Sequence, residues 1–141
     1  GVSGEYFVAA ELSRRGYVAS VTLRNTRGID IIASNEEGSK TVNIQVKTKR
    51  FKLKDWMMNK KAESIKDKNM FYVFVSLKEE DKKPDYHICP SIEVAKSVSK
   101  GHKKWLKTPG RGGKMHVDTS IRAWDDPDNK YLDRWDLLGL D

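Results

Sequence analysis

Apolar and polar residues alternate in two neighbouring segments of the chain, 28–34 and 40–49, and this alternation predicts two β-strands. The segment "SNEEGSK" between them is rich in turn-forming residues, so the two strands are expected to form an antiparallel hairpin. A turn placed symmetrically at the centre of that segment sets Asp30 directly opposite Gln45. The hairpin therefore predicts which polar side chains become neighbours.

The rest of the chain predicts two helices and three further strands around this hairpin. Helical periodicity covers residues 3–15, with Ser3 as the expected cap and Gly16 as the stop. The other predicted elements are strands at 17–25, 70–77 and 85–91, a helix at 92–107, and at 55–69 either a short strand or a helical turn. This order predicts an α/β fold in which helices flank one mixed β-sheet, and residues 1–141 contain no linker that would divide them into two domains.

The polar residues of the hairpin are candidates for chemistry. Side chains point alternately to the two faces of a strand, so Gln45 and Lys47 share one face of the second strand. Cross-strand neighbours stand about 5 Å apart at their Cβ atoms. The carboxylate of Asp30, the amide of Gln45 and the ammonium of Lys47 are thus expected to converge within reach of a single ion. The alternative is that the three form the wet face of a small sheet.

A fourth candidate comes from the first helix. Glu5 lies on the same helical line as the apolar residues Val8 and Leu12, so its carboxylate is expected to point towards the sheet. The alternative explanation for Glu5 is an acid in the first turn of a helix, where the helix dipole favours negative charge.

The net charge of +7 and the pI of about 9.4 are concentrated in two blocks, "KTKRFKLK" at 47–54 and a second block at 100–114. Localised positive charge suits a polyanion ligand, because neutralising phosphates releases counterions; a lysine-rich surface that serves solubility is the alternative. Phe51 and Trp56 could stack on unpaired bases, with packing inside the protein as the alternative, favoured for Phe51. The candidate phosphate contacts are Lys49, Arg50, Lys52, Lys54, Arg111 and Lys114.

Several classes of protein are disfavoured by the composition. No apolar run approaches the ~20 residues of a membrane-spanning helix, so no membrane association is expected. Cys89 is the sole cysteine, which excludes an internal disulfide and favours a reducing, cytoplasmic setting. The histidines are scattered and form no zinc motif with it, and "TPGRGGK" lacks the spacing of a nucleotide-binding loop.

The segments "GEYFVAAELSRRGY", "GIDIIA" and "IQVKTKR" together resemble the PD-(D/E)xK phosphodiesterase superfamily, in particular its Holliday-junction-resolvase-like and Mrr-like branches. In that family a helix supplies an acid, a following strand supplies an Asp, and the next strand supplies an acid or Gln two residues before a Lys. The matching residues are Glu5, Asp30, Gln45 and Lys47. The resemblance implies a restriction-endonuclease-like αβββαβ core. Most members carry an acid where this chain has Gln45.

The resemblance implies a metal-dependent endonuclease that acts on DNA rather than RNA. Asp30, the Gln45 amide oxygen and the Val46 carbonyl would hold one Mg²⁺, for which Mn²⁺ can substitute, and Glu5 would reach it directly or through water. Lys47 would orient or help deprotonate the attacking water. Nucleases of this class often act as homodimers, because two strands need two active sites.

Two rival functions stay open at this stage. Gln45 removes one negative charge from the centre, so a weakened or inactive nuclease fold that binds nucleic acid without cleaving it is one alternative. A protein-interaction domain whose charge serves only solubility is the other.

Overall fold

The computed structural model describes residues 1–23 and 28–141. Two α-helices and seven β-strands are present in these ranges. They are α1 (Val2–Arg14), β1 (Val18–Val21), β2 (Ile31–Ser34), β3 (Thr41–Arg50), β4 (Trp56–Asn59), β5 (Met70–Leu77), β6 (Asp85–Pro90), α2 (Ser91–Lys107) and β7 (Ile121–Trp124). Short 3₁₀ helices lie at Lys60–Glu63, Arg111–Gly113 and Trp135–Leu138.

A five-stranded sheet in the order β1-β2-β3-β5-β6 forms the centre of the fold. The β1-β2-β3 meander and the β5-β6 pair are antiparallel, whereas β3 and β5 run parallel. Helices flank this mixed sheet, as predicted. β5 is buried along almost its whole length and pairs on both sides, which explains its uninterrupted apolar sequence "MFYVFVSL".

Each face of the sheet is covered by its own hydrophobic cluster. On one face, α1 presents Val8 and Leu12 to the even-numbered residues of β3, such as Ile44. The other face is covered by α2 and by a separate two-stranded ribbon, in which β4 pairs with β7. The two faces of β3 therefore look into different parts of the protein.

The structure differs from the predicted elements in three respects. α1 begins at Val2 after Gly1, so Ser3 lies inside the helix and does not cap it. β1 ends at Val21, and the predicted strand end at 24–25 falls outside the described residues. The β4–β7 ribbon was not predicted, because the four residues "IRAW" carry too short a pattern and their partner strand is distant in sequence.

The ambiguous segment at 55–69 contains both of its predicted forms, strand β4 followed by one 3₁₀ turn. In the described part of the chain, no helix is long and apolar enough to cross a membrane.

Candidate active site

The β2–β3 hairpin has the register that its central turn predicts. Ile31 pairs with Ile44 and Ser34 pairs with Thr41. The pair of Ile31 with Ile44 is the outermost pair of the ladder on this side. Asp30 precedes Ile31 by one residue and therefore lies just outside the ladder. Asp30 is thus at the point where the two strands stop pairing.

Hydrogen bonds of the backbone and of the side chain fix Asp30 at this point. Its backbone N–H donates to the Ile44 carbonyl at 2.8 Å, and its backbone carbonyl accepts the Thr22 N–H at 2.9 Å. Its side-chain Oδ2 accepts the Val46 N–H at 2.7 Å. Because backbone N–H groups of a strand lie in the plane of the sheet, the Asp30 carboxylate approaches the middle of β3 in that plane, one residue before β2 begins.

Glu5 and Asp30 line one small cavity, of about 330 Å³, on the side of α1. Val46, Thr22 and Ile29 also contribute to its wall. We call it the near-face cavity. Helical spacing places Glu5 there because it follows the line of Val8 towards the sheet. The structure therefore brings together two carboxylates and the backbone of Val46.

Gln45 and Lys47 line a different and larger cavity, of about 780 Å³, on the opposite face of the sheet. We call it the far-face cavity. The separation follows from strand alternation: Val46 is buried on the α1 side, and its odd-numbered neighbours point away from it. Ile29 lines both cavities. The structure thus places the four expected residues at one end of the hairpin without gathering them in one cavity.

The segment at 28–30 connects the two cavities. A Cβ atom built on Gly28 would lie 3.6 Å from Gln45 Oε1, so the Gln45 amide is adjacent to this backbone. Gly28 has φ +62°, a conformation that glycine adopts without strain. Two residues later, Asp30 lines the near-face cavity, and Ile29 between them lines both cavities.

The donor atoms at this end of the hairpin suit a hard divalent cation. Glu5 and Asp30 supply carboxylates, and Val46 lies beyond the last rung of the β2–β3 ladder, where its carbonyl points to the same open edge as its N–H. These three belong to the near-face cavity, so they fit such an ion; the Gln45 amide would have to reach it from the other face. No group of three or more His, Cys, Asp or Glu side chains that could hold a metal occurs in residues 1–23 and 28–141.

The six basic candidates do not share one environment. Lys49 is partly buried: its ammonium lies 4.5 Å from the Trp56 ring centroid, and it donates to the Leu53 carbonyl at 2.5 Å and to Ser76 Oγ at 3.3 Å. Burial lowers the pKa of Lys49, although Asp55 and Asp85 act in the opposite direction. The side chains exposed to solvent are those of Arg50, Lys52, Lys54, Arg111 and Lys114.

The two aromatic candidates have exchanged the roles that were expected of them. Phe51 is 44% exposed beside the basic run, whereas Trp56 is 3% exposed and packs against Phe74 and Trp124. Stacking on a base is therefore open to Phe51 and closed to Trp56.

The sequence patterns did not predict two groups of residues that form the site. Thr22 fixes the backbone of Asp30, and its Oγ1 donates to the Ile29 carbonyl. The apolar wall of the far-face cavity comes from β4, the following 3₁₀ turn and β5, including Met58, Ala62 and Tyr72. No local pattern marks these residues as neighbours, because they come from separate segments.

The class of fold follows from this architecture and from comparison with solved structures. The chain is a five-stranded mixed sheet with helices on its faces. It is similar to Hjc, a Holliday junction resolvase from the archaeal hyperthermophile Archaeoglobus fulgidus, with a TM-score of 0.51. The similarity covers 89% of this chain and 84% of the resolvase at 13% sequence identity, and it shows the fold alone. No family model matches the chain, and no curated protein matches its sequence.

Proposed function

We propose that residues 1–141 form one nuclease domain that binds DNA and hydrolyses its phosphodiester bonds with a divalent cation. The observation that carries this proposal is the meeting of Glu5, Asp30 and Val46 where β2 and β3 separate, on a nuclease-like fold. The likeness to a Holliday junction resolvase favours DNA as the substrate, since a Holliday junction is DNA.

The roles of the residues follow from their donor atoms. Asp30 and Glu5 would hold the cation together with the Val46 carbonyl, and the Gln45 amide oxygen would complete the set from the far face. Mg²⁺, or Mn²⁺ in its place, supplies acidification of a water molecule and neutralisation of phosphate charge when it is bound. Lys47, with its ammonium on the far face, orients the attacking water and balances charge at the scissile phosphate.

Exposed cations at the end of β3 and just after it would bind the DNA backbone. Arg50 is the last residue of β3, and Lys52 and Lys54 follow it; all three would neutralise phosphates, with Phe51 placed to stack on an unpaired base. Arg111 and Lys114 would extend this contact from the glycine-rich loop. A homodimer would supply the second active site that a second strand requires, and the buried thiol of Cys89 suits a reducing, cytoplasmic compartment.

One observation favours a second candidate function, DNA binding without cleavage. Gln45 and Lys47 do not share a cavity with Glu5 and Asp30, and Gln45 brings no negative charge. A centre divided in this way would retain the basic surface while holding a cation weakly.

A nuclease assay on linear, supercoiled and branched DNA with Mg²⁺ or Mn²⁺ separates the two functions. The cleavage proposal expects wild-type protein to cut at least one of these substrates, and Asp30→Ala and Lys47→Ala to lose more than about 100-fold in rate. Asp128→Ala, which removes an exposed carboxylate far along the chain, is the control and should cut normally.

Circular dichroism melting accompanies each variant, so that loss of activity is distinguished from loss of the fold. If the wild type cuts nothing with either cation, while its DNA binding weakens with salt and with Lys47→Ala, the binding module is the correct function. If Asp30→Ala cuts as fast as the wild type, the proposed centre is wrong.

A further inference from the structure

The far-face cavity has the size and the lining of a ligand site. Its volume of about 780 Å³ lies within the range of roughly 300–1,000 Å³ that is typical of small-molecule pockets. Its wall is mainly apolar, formed by the buried side chains of Met58, Ala62, Met70 and Tyr72 with Ile65 partly buried beside them. Such a wall suits the flat face of a ring.

Polar groups line this cavity in two places, along β3 and at a rim formed by Asn59, Lys61 and Asp67. Asn43, Gln45 and Lys47 are half-buried and face it in a row. Their side-chain polar atoms make no hydrogen bond or ion pair with any residue in the described part of the chain. By contrast, Asn59 and Asp67 at the rim already accept the backbone N–H groups of neighbouring residues. Two amides and an ammonium are therefore available to a ligand that enters the cavity.

The position of the cavity connects it to the proposed phosphate chemistry. It shares Ile29 with the near-face cavity, and Lys47, assigned above to the scissile phosphate, forms part of its wall. A group that entered here would thus be attached to, or adjacent to, the phosphate that Lys47 contacts.

We propose that the far-face cavity receives one unpaired nucleobase of the DNA, next to the phosphate to be cleaved. The apolar wall takes the faces of the ring, and the amides of Asn43 and Gln45 read its hydrogen-bonding edge. A base inside a duplex cannot enter such a cavity, because its edge is paired and its faces are stacked. The substrate class is therefore DNA with an extrahelical or single-stranded nucleotide. This proposal rests on the proposed function for the placement of the phosphate.

Adenine is the base to test first, because Asn and Gln amides pair bidentately with it. Two duplexes of the same sequence are compared, one fully paired and one with a single unpaired 2-aminopurine, a fluorescent adenine analogue. Binding is measured by anisotropy in EDTA, so that no cleavage occurs, and entry of the base is measured by its fluorescence.

Wild-type protein is expected to bind the bulged duplex about tenfold more tightly than the paired one. Asn43→Ala removes an amide and Ile65→Trp fills the cavity, and each should reduce this preference to less than about threefold without changing the affinity for paired DNA. Thr41→Ala is the matched control: it lies on the same face of β3, two residues from Asn43, but is exposed and outside the cavity. It should keep the full preference.

Equal binding of the two duplexes would overturn the proposal, and so would a preference that both Asn43→Ala and Ile65→Trp leave intact. Asp30→Ala separates this result from the nuclease question, because it should keep the preference for the unpaired base even where cleavage is lost. Absence of binding to either duplex would overturn the proposed function together with this inference.

Discussion

The carboxylate of Asp30 accepts the backbone N–H of Val46 at 2.7 Å, and this bond takes the place of the next rung of the β2–β3 ladder. An acidic side chain thus occupies the gap that two separating strands would otherwise leave to water. The same bond holds the candidate ligand at the wall of the near-face cavity.

Asp30→Ala is expected to destabilise the protein by about 2 kcal/mol, since hydrogen bonds to charged groups contribute about 1.5–3 kcal/mol. Asp30→Asn keeps an acceptor for the Val46 N–H and should cost less than about 1 kcal/mol, while it still impairs cation binding. Urea unfolding of both variants measures the difference. Equal stability of the two variants would show that the Val46 bond contributes little.

Gly4→Ala is expected to destabilise the contact between α1 and β3. A Cβ at this position would lie 2.0 Å from Thr48 Oγ1, so the helix would have to move away from the strand at a cost of about 1–3 kcal/mol. Gly101→Ala in α2 is the matched control: nothing lies within 4 Å of its Cβ, and it should stabilise the helix by about 0.5–1 kcal/mol. Thermal unfolding of both variants decides the matter, and the prediction fails if Gly4→Ala is as stable as the wild type.

Asp126→Ala is expected to be among the more damaging substitutions outside the candidate site. Its carboxylate accepts the N–H groups of Lys130 and Tyr131 and lies 2.8 Å from Nδ1 of the buried His87. Removing it leaves the buried His87 ring and the half-buried Tyr131 N–H without their acceptor, while the exposed Lys130 N–H can bond to water, so we expect a cost of about 2–3 kcal/mol in urea unfolding. Asp128→Ala, in the same loop but exposed, should change the stability by less than about 0.5 kcal/mol.

The thiol of Cys89 should not react in the native protein. Cys89 is 1% exposed, and burial raises the pKa of its thiol to about 12. Because the folded state holds this proton more tightly, its contribution to stability is complete below the ordinary pKa of 9.0 and is lost as the pH rises towards about 12. Ellman's reagent at pH 8 should label the wild type only after denaturation, whereas an exposed thiol introduced by Ser97→Cys should react at once. Rapid native labelling of Cys89 would contradict its burial.

The basic residues at the end of β3 and just after it should have two different roles. Arg50→Ala and Lys52→Ala each remove an exposed cation, so each should lower the salt dependence of DNA binding by about one unit of slope without loss of stability. Lys49→Met should instead leave that slope unchanged and cost about 1–2 kcal/mol of stability, because it loses the contacts with Trp56 and Leu53. The reverse result would mean that Lys49 is turned outward when DNA binds.

Local patterns predicted the strands of the main sheet and the faces of β3 because hairpin pairing and side-chain alternation depend only on neighbouring residues. The register that aligns Ile31 with Ile44 required no more than the position of the turn. The same alternation also separates Gln45 and Lys47 from the α1 side, a consequence that the expectation of one shared ion had overlooked.

Features that depend on distant segments were beyond the reach of the sequence. Trp56 is buried because its ring packs against Phe74, His87 and Trp124, all distant in the sequence, whereas Phe51 is 44% exposed. Lys49 belongs to a basic run but reaches an aromatic ring that only the fold brings near. The wall of the far-face cavity has the same origin.

The pairing of β4 with β7 also sets an order of events during synthesis of the chain. β4 leaves the ribosome long before its partner strand exists, since Asn59 pairs with Ile121. The hairpin that carries Asp30 and Gln45 pairs residues that are adjacent in the sequence, whereas β4 has no partner strand until β7 has been made. The register of the hairpin thus needs only the first third of the chain, whereas the ribbon that carries Met58 to the far-face cavity needs residues as late as Trp124.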